Sequence, residues 1–441
     1  MPPSSTPPEQ APAARAGRTL PRSLRPFRHR DYRLLLLSMA ASLFASGMWT
    51  VALVYQVIAL GGGPTELSLV MTALSAGLLV SVLVGGIAAD RLPRRALLVG
   101  VEVVRIGSVG LVAALALTGS LQLWHLAAIA FVVGSAEAFF FPAYSALLPT
   151  MLPADELLAA NGVEGMLRPV ALQALGPALA GVVVGALAPG AALAVAAGVY
   201  GLALLPLLVM RVAAVPAVEA GRSVLGDLRE GVGYFLRTGW FFATLVFATL
   251  LVLVVVGPIE VLVPFAVRDQ TGAGPQGYAA VLAGYGIGGV VGSFAASASR
   301  LPRRYLSAMI LLWGPGSVPL VVMGLTDRLW LMVLAAAAVG VAHSWAQVIW
   351  GTLLQRRVPS HMLGRASSLD FFVSLALMPV SMALAGPVGD GLGIPLTFVL
   401  AGTIPVLLAV AAILGWRLRA DEIANPLDPA PADAVGARSP D

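Results

Sequence analysis

The sequence Arg91-Leu-Pro-Arg94-Arg95 occurs a second time, unchanged, at residues 300–304, close to half a chain length later. Each copy connects two long apolar runs. A basic turn at the same place in two similar hydrophobic halves is typical of membrane proteins built from repeats, and secondary transporters are the commonest of these. The repeat therefore predicts two related bundles of membrane-spanning helices.

The composition agrees with a membrane protein. Hydrophobic residues make up 58% and charged residues 11% of the 441 positions, whereas a soluble domain carries about 25% charged residues. About 20 apolar residues span a bilayer, so the length allows about a dozen spans. There is no cysteine, which excludes disulfides and thiol chemistry. The four histidines are scattered, so we expect neither a metal site nor a cofactor.

The apolar runs predict an all-α integral membrane protein with twelve transmembrane helices in two pseudo-symmetric six-helix bundles. Proline-rich polar composition predicts disordered tails. The expected division of the chain is a cytoplasmic tail at 1–26, a first bundle at 27–211, a linker at 212–239, a second bundle at 240–418 and a cytoplasmic tail at 419–441. The helices are predicted at 33–60, 66–89, 96–118, 122–146, 164–187, 190–211, 241–266, 277–298, 305–325, 328–352, 367–389 and 394–417.

The linker between the two halves has apolar residues at helical spacing. They predict an amphipathic helix lying on the membrane surface. These residues are Leu225, Leu228, Val232 and Phe235.

All 27 basic residues are arginines, and their placement predicts the orientation. Arg105 and Arg168 fall within predicted spans, and Arg268 and Arg328 fall on one face; all the others fall on the opposite face. By the positive-inside rule, both termini are cytoplasmic. The basic pI of 9.9 thus reflects topology, and no nucleic-acid partner is expected. We expect a monomer in a bacterial plasma membrane.

The first basic turn reads Gly86-Ile-Ala-Ala-Asp90-Arg91-Leu-Pro-Arg94-Arg95. It resembles the signature Gly-x-x-x-Asp-Arg-x-x-Arg-Arg of the major facilitator superfamily, at the expected place between the second and third helices. The resemblance implies that Gly86, Asp90, Arg91, Arg94 and Arg95 form a latch that closes the cytoplasmic side in the outward-open state. The alternative is that the arginines only enforce topology.

The second basic turn supplies a weaker counterpart of this latch. Arg300, Arg303 and Arg304 repeat the arginines, but Ser299 occupies the position of the carboxylate. A carboxylate there would meet a helix N-terminus or an arginine, and serine lacks its charge. We therefore expect the first half to carry the stronger latch.

Four further segments resemble one branch of that superfamily, the drug- and siderophore-efflux branch similar to enterobactin and macrolide exporters. They are residues 27–34, 136–143, 257–264 and 364–370. In the fifth helix, Gly176, Pro177 and Gly181 are similar to the antiporter motif Gly-x-x-x-Gly-Pro-x-x-Gly-Gly, but Leu172 and Ala180 replace two of its glycines. Packing of small residues is the alternative explanation of this partial match.

Among the charged residues within predicted spans, five are candidates for buried pairs or for a functional role: Glu102, Arg105, Glu137, Arg168 and Glu260. A charge at the centre of a bilayer costs about 2.5–3.5 kcal/mol, so these groups should pair or line a cavity. Arg105 can pair with Glu102, one turn away, and with Glu137 at similar depth on the next helix. Such pairs can be structural or functional. Glu260 has no basic neighbour in its helix, which makes it a candidate for substrate or proton binding.

These features favour proton-driven export of a lipophilic or amphipathic small molecule, with the lipid bilayer and protons as the other partners. A nutrient uptake symporter is the alternative, and a membrane-embedded enzyme is a remote one, since no catalytic constellation is visible. The glycine pattern at 284–289 lies within an apolar helix, so it predicts helix packing rather than nucleotide binding. Aromatic residues available for a cavity or a core are Trp49, Tyr55, Phe140, Phe141, Tyr144, Trp345 and Trp350.

We predict that Asp90→Asn impairs transport but leaves membrane insertion intact. Only an anion at this position serves both a helix dipole and a guanidinium. Turnover by the purified variant in proteoliposomes measures the effect. A turnover equal to that of the wild type would disprove the latch.

Overall fold

The computed structural model describes residues 22–211, 232–233, 235–359, 362–416 and 418–427. Twelve helices in these ranges are long and apolar enough to cross a membrane, which confirms the predicted fold class. They are α1 Arg30–Ala59, α2 Pro64–Arg91, α3 Arg94–Leu117, α4 Leu123–Met151, α5 Asp155–Ala186, α6 Pro189–Val209, α7 Gly239–Thr271, α8 Pro275–Ala298, α9 Tyr305–Leu325, α10 Leu329–Arg357, α11 Ala366–Leu392 and α12 Ile394–Gly415.

Small residues allow the helices of each half to pack closely. Within the first half, α2 packs on α4, and α6 packs on α1 and α3. Within the second half, α8 packs on α10 through the stripe Gly284, Gly288 and Gly292. A Cβ on Gly284 would lie 2.7 Å from the Val333 carbonyl oxygen. The stripe is therefore a packing surface, as the sequence predicts.

Twelve crossings place Arg22–Arg28, before α1, and Leu418–Ala424, after α12, at the same end of the bundle, here called the terminal side; the opposite end is the far side. Many contacts between the two halves lie toward the far side. Thr65 on α2 donates a hydrogen bond of 2.6 Å to Asp390 on α11. Ser68 donates to the Met382 carbonyl and accepts from the Gly386 N–H. At Gly386, a Cβ would lie 2.6 Å from that of Ser68.

Three helices are interrupted near prolines, which lack the N–H that continues the helical ladder. In α5, Pro169–Leu175 forms a wider π-helical turn. In α7, Pro258–Leu262 does the same. The helix that contains α11 breaks between Leu375 and Met378. The breaks in α5 and α11 occupy corresponding places in the two halves, and paired interruptions of this kind indicate a binding site.

The fifth helix is longer than the sequence predicts. Its helical turns begin at Ala154, one residue before the bounds given above for the span, whereas the sequence predicts a start at 164. Its first turns carry polar residues, which made the segment resemble a loop. They are held at the surface by packing against the short 3-10 helix Arg22–Arg28 and by a 3.1 Å contact from His29 to Glu156.

The predicted linker helix falls mainly on residues outside the described ranges, including Leu225 and Leu228. Val232 and Phe235 are described and are helical. The ring of Phe235 packs against Phe242 at 5.0 Å between centroids. Phe235 therefore packs against the beginning of α7, the first helix of the second half.

The disordered tail predicted from residue 419 is wrong at its beginning. Leu418–Ala424 forms a helix, here α13, in which Leu418 and Glu422 are buried. The Glu422 carboxylate accepts hydrogen bonds from the backbone N–H groups of Leu306 and Ser307 and from the Ser307 hydroxyl. It thus caps the start of α9 from a distant part of the sequence, which composition alone could not indicate.

We predict that Glu422→Gln lowers the melting temperature of the purified protein by about 2–4 °C, because the helix cap loses its charge-assisted hydrogen bonds. Thermal unfolding in detergent measures the shift. Asp327→Asn is the control, since Asp327 lies exposed between α9 and α10. Equal melting temperatures for the two variants would contradict the cap.

Candidate functional site: a buried charge cluster and a central cavity

A buried charge cluster joins three helices of the first half. Glu102 and Arg105 face inward from α3, with side chains 0% and 2% exposed. Arg105 Nη1 lies 3.2 Å from Glu102 Oε1, and Nη2 pairs with Glu137 Oε2 on α4. Ser42 on α1 donates to Glu102 at 2.7 Å and accepts from Arg105 at 2.6 Å. The structure therefore contains the ion pairs expected from the sequence.

Aromatic rings close the cluster on its other sides. The Arg105 guanidinium lies 5.0 Å from the centre of the Phe140 ring and 5.6 Å from that of Tyr200. Tyr200 in turn shares a 2.9 Å hydrogen bond with Ser46. Glu137 remains 36% exposed, so it is the less buried of the two carboxylates that contact Arg105.

Arg168 lies on α5, directly before the π-helical turn. Its guanidinium stacks on Phe141 at 4.0 Å from the ring centre. Glu137 and Glu164 are the carboxylates near enough to act on its charge. Arg168 therefore extends the charge cluster toward the terminal side without joining it by a direct ion pair within the described part of the chain.

The antiporter-like motif serves close packing. A Cβ on Gly176 would overlap the carbonyl oxygen of Phe44 on α1. Gly181 faces α8, where a Cβ would lie 3.1 Å from Pro275 O. Pro177 is buried beside Gly47 of α1. Gly181 thus belongs to the contact between the two halves, and Gly176 to the packing of α5 on α1.

The structure describes only part of the predicted latch. The backbone of Gly86, Asp90 and Arg91 is helical, but the side chains of Asp90 and Arg91 lie outside the described part of the structure. Arg94 donates to the Ala146 carbonyl at 2.9 Å, and Arg95 donates to the carbonyls of residues 207 and 208 at 2.7 and 2.6 Å. Both arginines therefore hold helix ends within their own half.

The second-half arginines are exposed. Arg300, Arg303 and Arg304 lie around the connection from α8 to α9. They form no hydrogen bond or ion pair with any residue that the structure describes. The difference from Arg94 and Arg95 agrees with a weaker second turn.

A cavity of about 610 Å³ lies mainly within the second half. Apolar side chains of α7, α8, α9 and α10 form most of its wall, and Leu172 and Gln173 of the interrupted α5 contribute from the first half. Its polar and aromatic lining consists of Thr50, Gln173, Thr244, Glu260, Tyr285, Trp313, His343, Ser344, Gln347, Trp350, Asp370, Phe371 and Ser374. The cavity is thus mostly apolar, with few polar groups.

Glu260 reaches this cavity from the π-helical turn of α7. The turn is stabilised by Ser381 of α11, whose hydroxyl donates to the Leu253 carbonyl at 2.7 Å and accepts from the Gly257 N–H at 2.8 Å. The Ser381 hydroxyl thus bridges the Leu253 carbonyl and the Gly257 N–H, directly before Pro258. Within the described ranges, Glu260 has no hydrogen bond or ion pair, so its carboxyl is available to a ligand or a proton.

Among the polar groups of the cavity that sequence reasoning missed are a carboxyl, Asp370, and an imidazole, His343. Asp370 accepts from Trp350 Nε1 at 3.0 Å and from Ser374 Oγ at 3.2 Å. His343 contacts Ser317 Oγ at 3.1 Å. Asp370 lies near the predicted start of its helix and therefore resembled an end residue. The apolar run on both sides of His343 was the signal that could have identified it.

Most of the candidate aromatic residues do not line the cavity. Only Trp350 of the proposed set does so. Phe140 stacks on Tyr144 at 6.2 Å, and Tyr55 packs near Tyr278 at 6.5 Å between centroids. Trp49 is buried, and Trp345 packs against the core. Core packing, the alternative stated for these residues, accounts for them.

Twelve spans in two halves, with a mostly apolar cavity that lies mainly within the second half, define a multi-pass membrane transporter. The sequence profile described as "transmembrane secretion effector" matches residues 22–437. The chain belongs to this family of the major facilitator superfamily, which confirms the resemblance and the prediction of a transporter rather than an enzyme.

Two relatives illustrate the family. The multidrug efflux pump Tap of Mycolicibacterium fortuitum is 29% identical over 409 residues, covering 89% of this chain and 98% of Tap. Macrolide efflux protein A of Streptococcus pyogenes is 22% identical over 384 residues, covering 84% and 92%.

Solved structures share the fold. The nucleoside transporter NupG superposes with a TM-score of 0.68 at 13% identity, covering 87% of this chain and 98% of NupG. A bacterial homologue of the human lysosomal transporter Spinster, in an inward-facing and unoccupied conformation, gives 0.65 at 14% identity, covering 91% and 99%. At these identities the likeness establishes the fold alone.

We predict that Arg105→Gln destabilises the protein by about 3–5 kcal/mol, because it leaves buried carboxylates without their counter-ion. Glu137→Gln should cost less, since Glu137 is partly exposed and Arg105 keeps Glu102. Arg268→Gln is the control, because its partner Asp269 and Arg268 itself are both exposed and such pairs contribute little. Reversible unfolding in detergent measures the order. Equal stability of Arg105→Gln and Arg268→Gln would contradict the cluster's structural role.

Proposed function

We propose that this transporter exports lipophilic or amphipathic small molecules, of the drug, macrolide or siderophore class, in exchange for protons. The observation that carries the proposal is the mostly apolar cavity of about 610 Å³ whose wall contains Glu260, a carboxyl without an ion-pair partner among the described residues. Cavities of about 300–1,000 Å³ lined by apolar and aromatic side chains suit drug-sized ligands. The relatives named as multidrug and macrolide efflux pumps support the direction of transport.

The cavity lining argues against the alternative of sugar-like nutrient uptake. A polyhydroxylated substrate must exchange its many hydrogen bonds to water for hydrogen bonds to protein. Gln173 and Gln347 are the amides among the described lining residues, and serine and threonine hydroxyls are few. A substrate that gains from apolar contact fits this wall better.

Transport in this proposal proceeds by alternating access. The hydrogen bonds of Thr65 to Asp390 and of Ser68 to the α11 backbone hold the two halves together toward the far side. They must break when the far side opens. The terminal side then closes, and the latch around Asp90 engages. In the proposed orientation the terminal side is the cytoplasm, the membrane is the bacterial plasma membrane, and a monomer suffices.

Two carboxyls are proposed to couple this cycle to protons. Glu260 lies toward the far side in the second half, in the cavity wall. Glu137 is the less buried carboxylate of the cluster in the first half, where it binds Arg105. Protonation of Glu137 would remove its attraction to Arg105, which changes the packing of α3 on α4. Each carboxyl can therefore link a proton to a rearrangement of its own half.

We predict that Glu260→Gln abolishes transport driven by an imposed pH gradient but leaves substrate binding measurable, because glutamine keeps the size and loses the proton. Glu137→Gln should act similarly or loosen Arg105. Proteoliposomes with a pH gradient provide the assay, and Asp269→Asn, an exposed change on the same helix as Glu260, is the control. If both glutamine variants respond to the gradient as the wild type does, the carboxyls are structural.

A further inference from the structure

Asp370 is a second carboxylate of the cavity, and its surroundings differ from those of Glu260. It lies on the segment Leu363–Leu375, before the break in the helix that contains α11. Its two oxygens each accept one hydrogen bond, from Trp350 Nε1 and from Ser374 Oγ. A carboxylate has about four acceptor sites, so each oxygen retains capacity for a further donor. Its orientation is thus fixed before any ligand arrives.

The tryptophan that binds this carboxylate belongs to a group of aromatic rings. Trp350 stacks on Phe241 with centroids 5.9 Å apart and an angle of 9° between planes. Trp313 lies 6.5 Å from Trp350, and both tryptophans line the cavity. Phe371, the next residue after Asp370, also lines it and is 45% exposed. Tryptophan faces attract cations within about 6 Å, so these rings and Asp370 favour the same sign of charge.

The remaining charges of the cavity are consistent with that sign. Glu260, Asp370 and His343 are the titratable acids and bases among the described lining residues, besides the Tyr285 hydroxyl, and no arginine is among them. Arg105 is occupied by Glu102 and Glu137 outside the cavity. In a wall of low dielectric constant, a carboxylate acts strongly on a bound charge. An anionic substrate would meet repulsion without a compensating cation.

We propose that Asp370 and the Trp350 side chain form the recognition site for the substrate's cationic group, and that the substrate is an amphipathic organic cation. A protonated amine or a quaternary onium centre would lie against Asp370, and its apolar body would fill the wall of α7 to α10. Among the classes proposed above, this site selects basic drugs over acidic siderophores. The inference rests on the proposed function and assigns substrate binding to Asp370, whereas proton coupling belongs to Glu260 and Glu137.

A purely structural role for Asp370 would link α10 to α11 through the same two hydrogen bonds. Asparagine preserves that link, because its amide oxygen accepts from the indole N–H and its amide nitrogen can donate to the Ser374 hydroxyl. Asp370→Asn therefore removes the charge and keeps the tether. Asp370→Glu keeps the charge and tests whether it restores binding.

The test compares two ions of similar size and apolar surface but opposite charge, tetraphenylphosphonium and tetraphenylborate. Their binding to the purified full-length protein in detergent is measured by equilibrium dialysis at constant ionic strength. We expect the wild type to bind the cation at least about tenfold more tightly than the anion. Asp370→Asn should lose about tenfold in affinity for the cation, with no loss for the anion, and Asp370→Glu should recover most of it.

Two controls keep the outcome decisive. Asp269→Asn removes an exposed carboxylate of α7 and should bind both ions as the wild type does. Trp350→Phe keeps an aromatic ring without the N–H and should weaken cation binding less than Asp370→Asn. Thermal unfolding of each variant confirms that it is folded.

The proposal is overturned if the wild type does not prefer the cation, or if Asp370→Asn binds it like the wild type. These results are independent of the pH-gradient assay. A protein that prefers cations through Asp370 but ignores the gradient would contradict proton coupling alone. A protein that responds to the gradient without cation preference would contradict the present inference alone.

Discussion

The cost of placing a charge in a bilayer governs the arrangement of this protein. An ion in the hydrocarbon core must find a counter-ion or a water-filled space. The charge of Arg105 is neutralised by Glu102 and Glu137, and Ser42 adds hydrogen bonds. These contacts connect α1, α3 and α4. The cluster contains two carboxylates for one guanidinium, and Glu137 is the less buried of the two. The first half is thus held by charges that satisfy one another.

The second half places its buried carboxylates differently. Its carboxylates, Glu260 and Asp370, face the cavity without an arginine partner within the described residues. The two halves share a fold and an arrangement of helix breaks in α5 and α11, yet their charges have different partners. This asymmetry supports the proposal that ligand recognition belongs to the second half, whereas the two carboxyls proposed for proton coupling, Glu137 and Glu260, lie one in each half. The helix breaks provide the geometry, because they bring Gln173 and Asp370 to the same cavity.

Much of the architecture follows from local sequence properties. The period and length of the apolar runs predicted all twelve spans, because a bilayer requires about 20 apolar residues from each helix. The depth of Arg105 and Glu137 along adjacent helices was sufficient to predict their pairing. The glycines at 284, 288 and 292 predicted a packing face, because residues four positions apart lie on the same face of a helix. The errors came where polar residues begin a helix, as in α5, or where a short helix docks, as in α13.

Composition and helical period were enough to predict the fold, the membrane setting and most of the buried charges. The tertiary structure established which polar groups meet in the cavity, because that depends on contacts between helices far apart in the chain. Glu102 and Glu260 are both glutamates within apolar helices, but one lies against Arg105 and the other opens into the cavity. The role proposed for Asp370 rests on its contacts with Trp350 and Ser374. The helix α13 is positioned by the hydrogen bond from the N–H of Leu306, at the start of α9, to Glu422. Such contacts join residues far apart in the chain, and no local pattern encodes the distance between them.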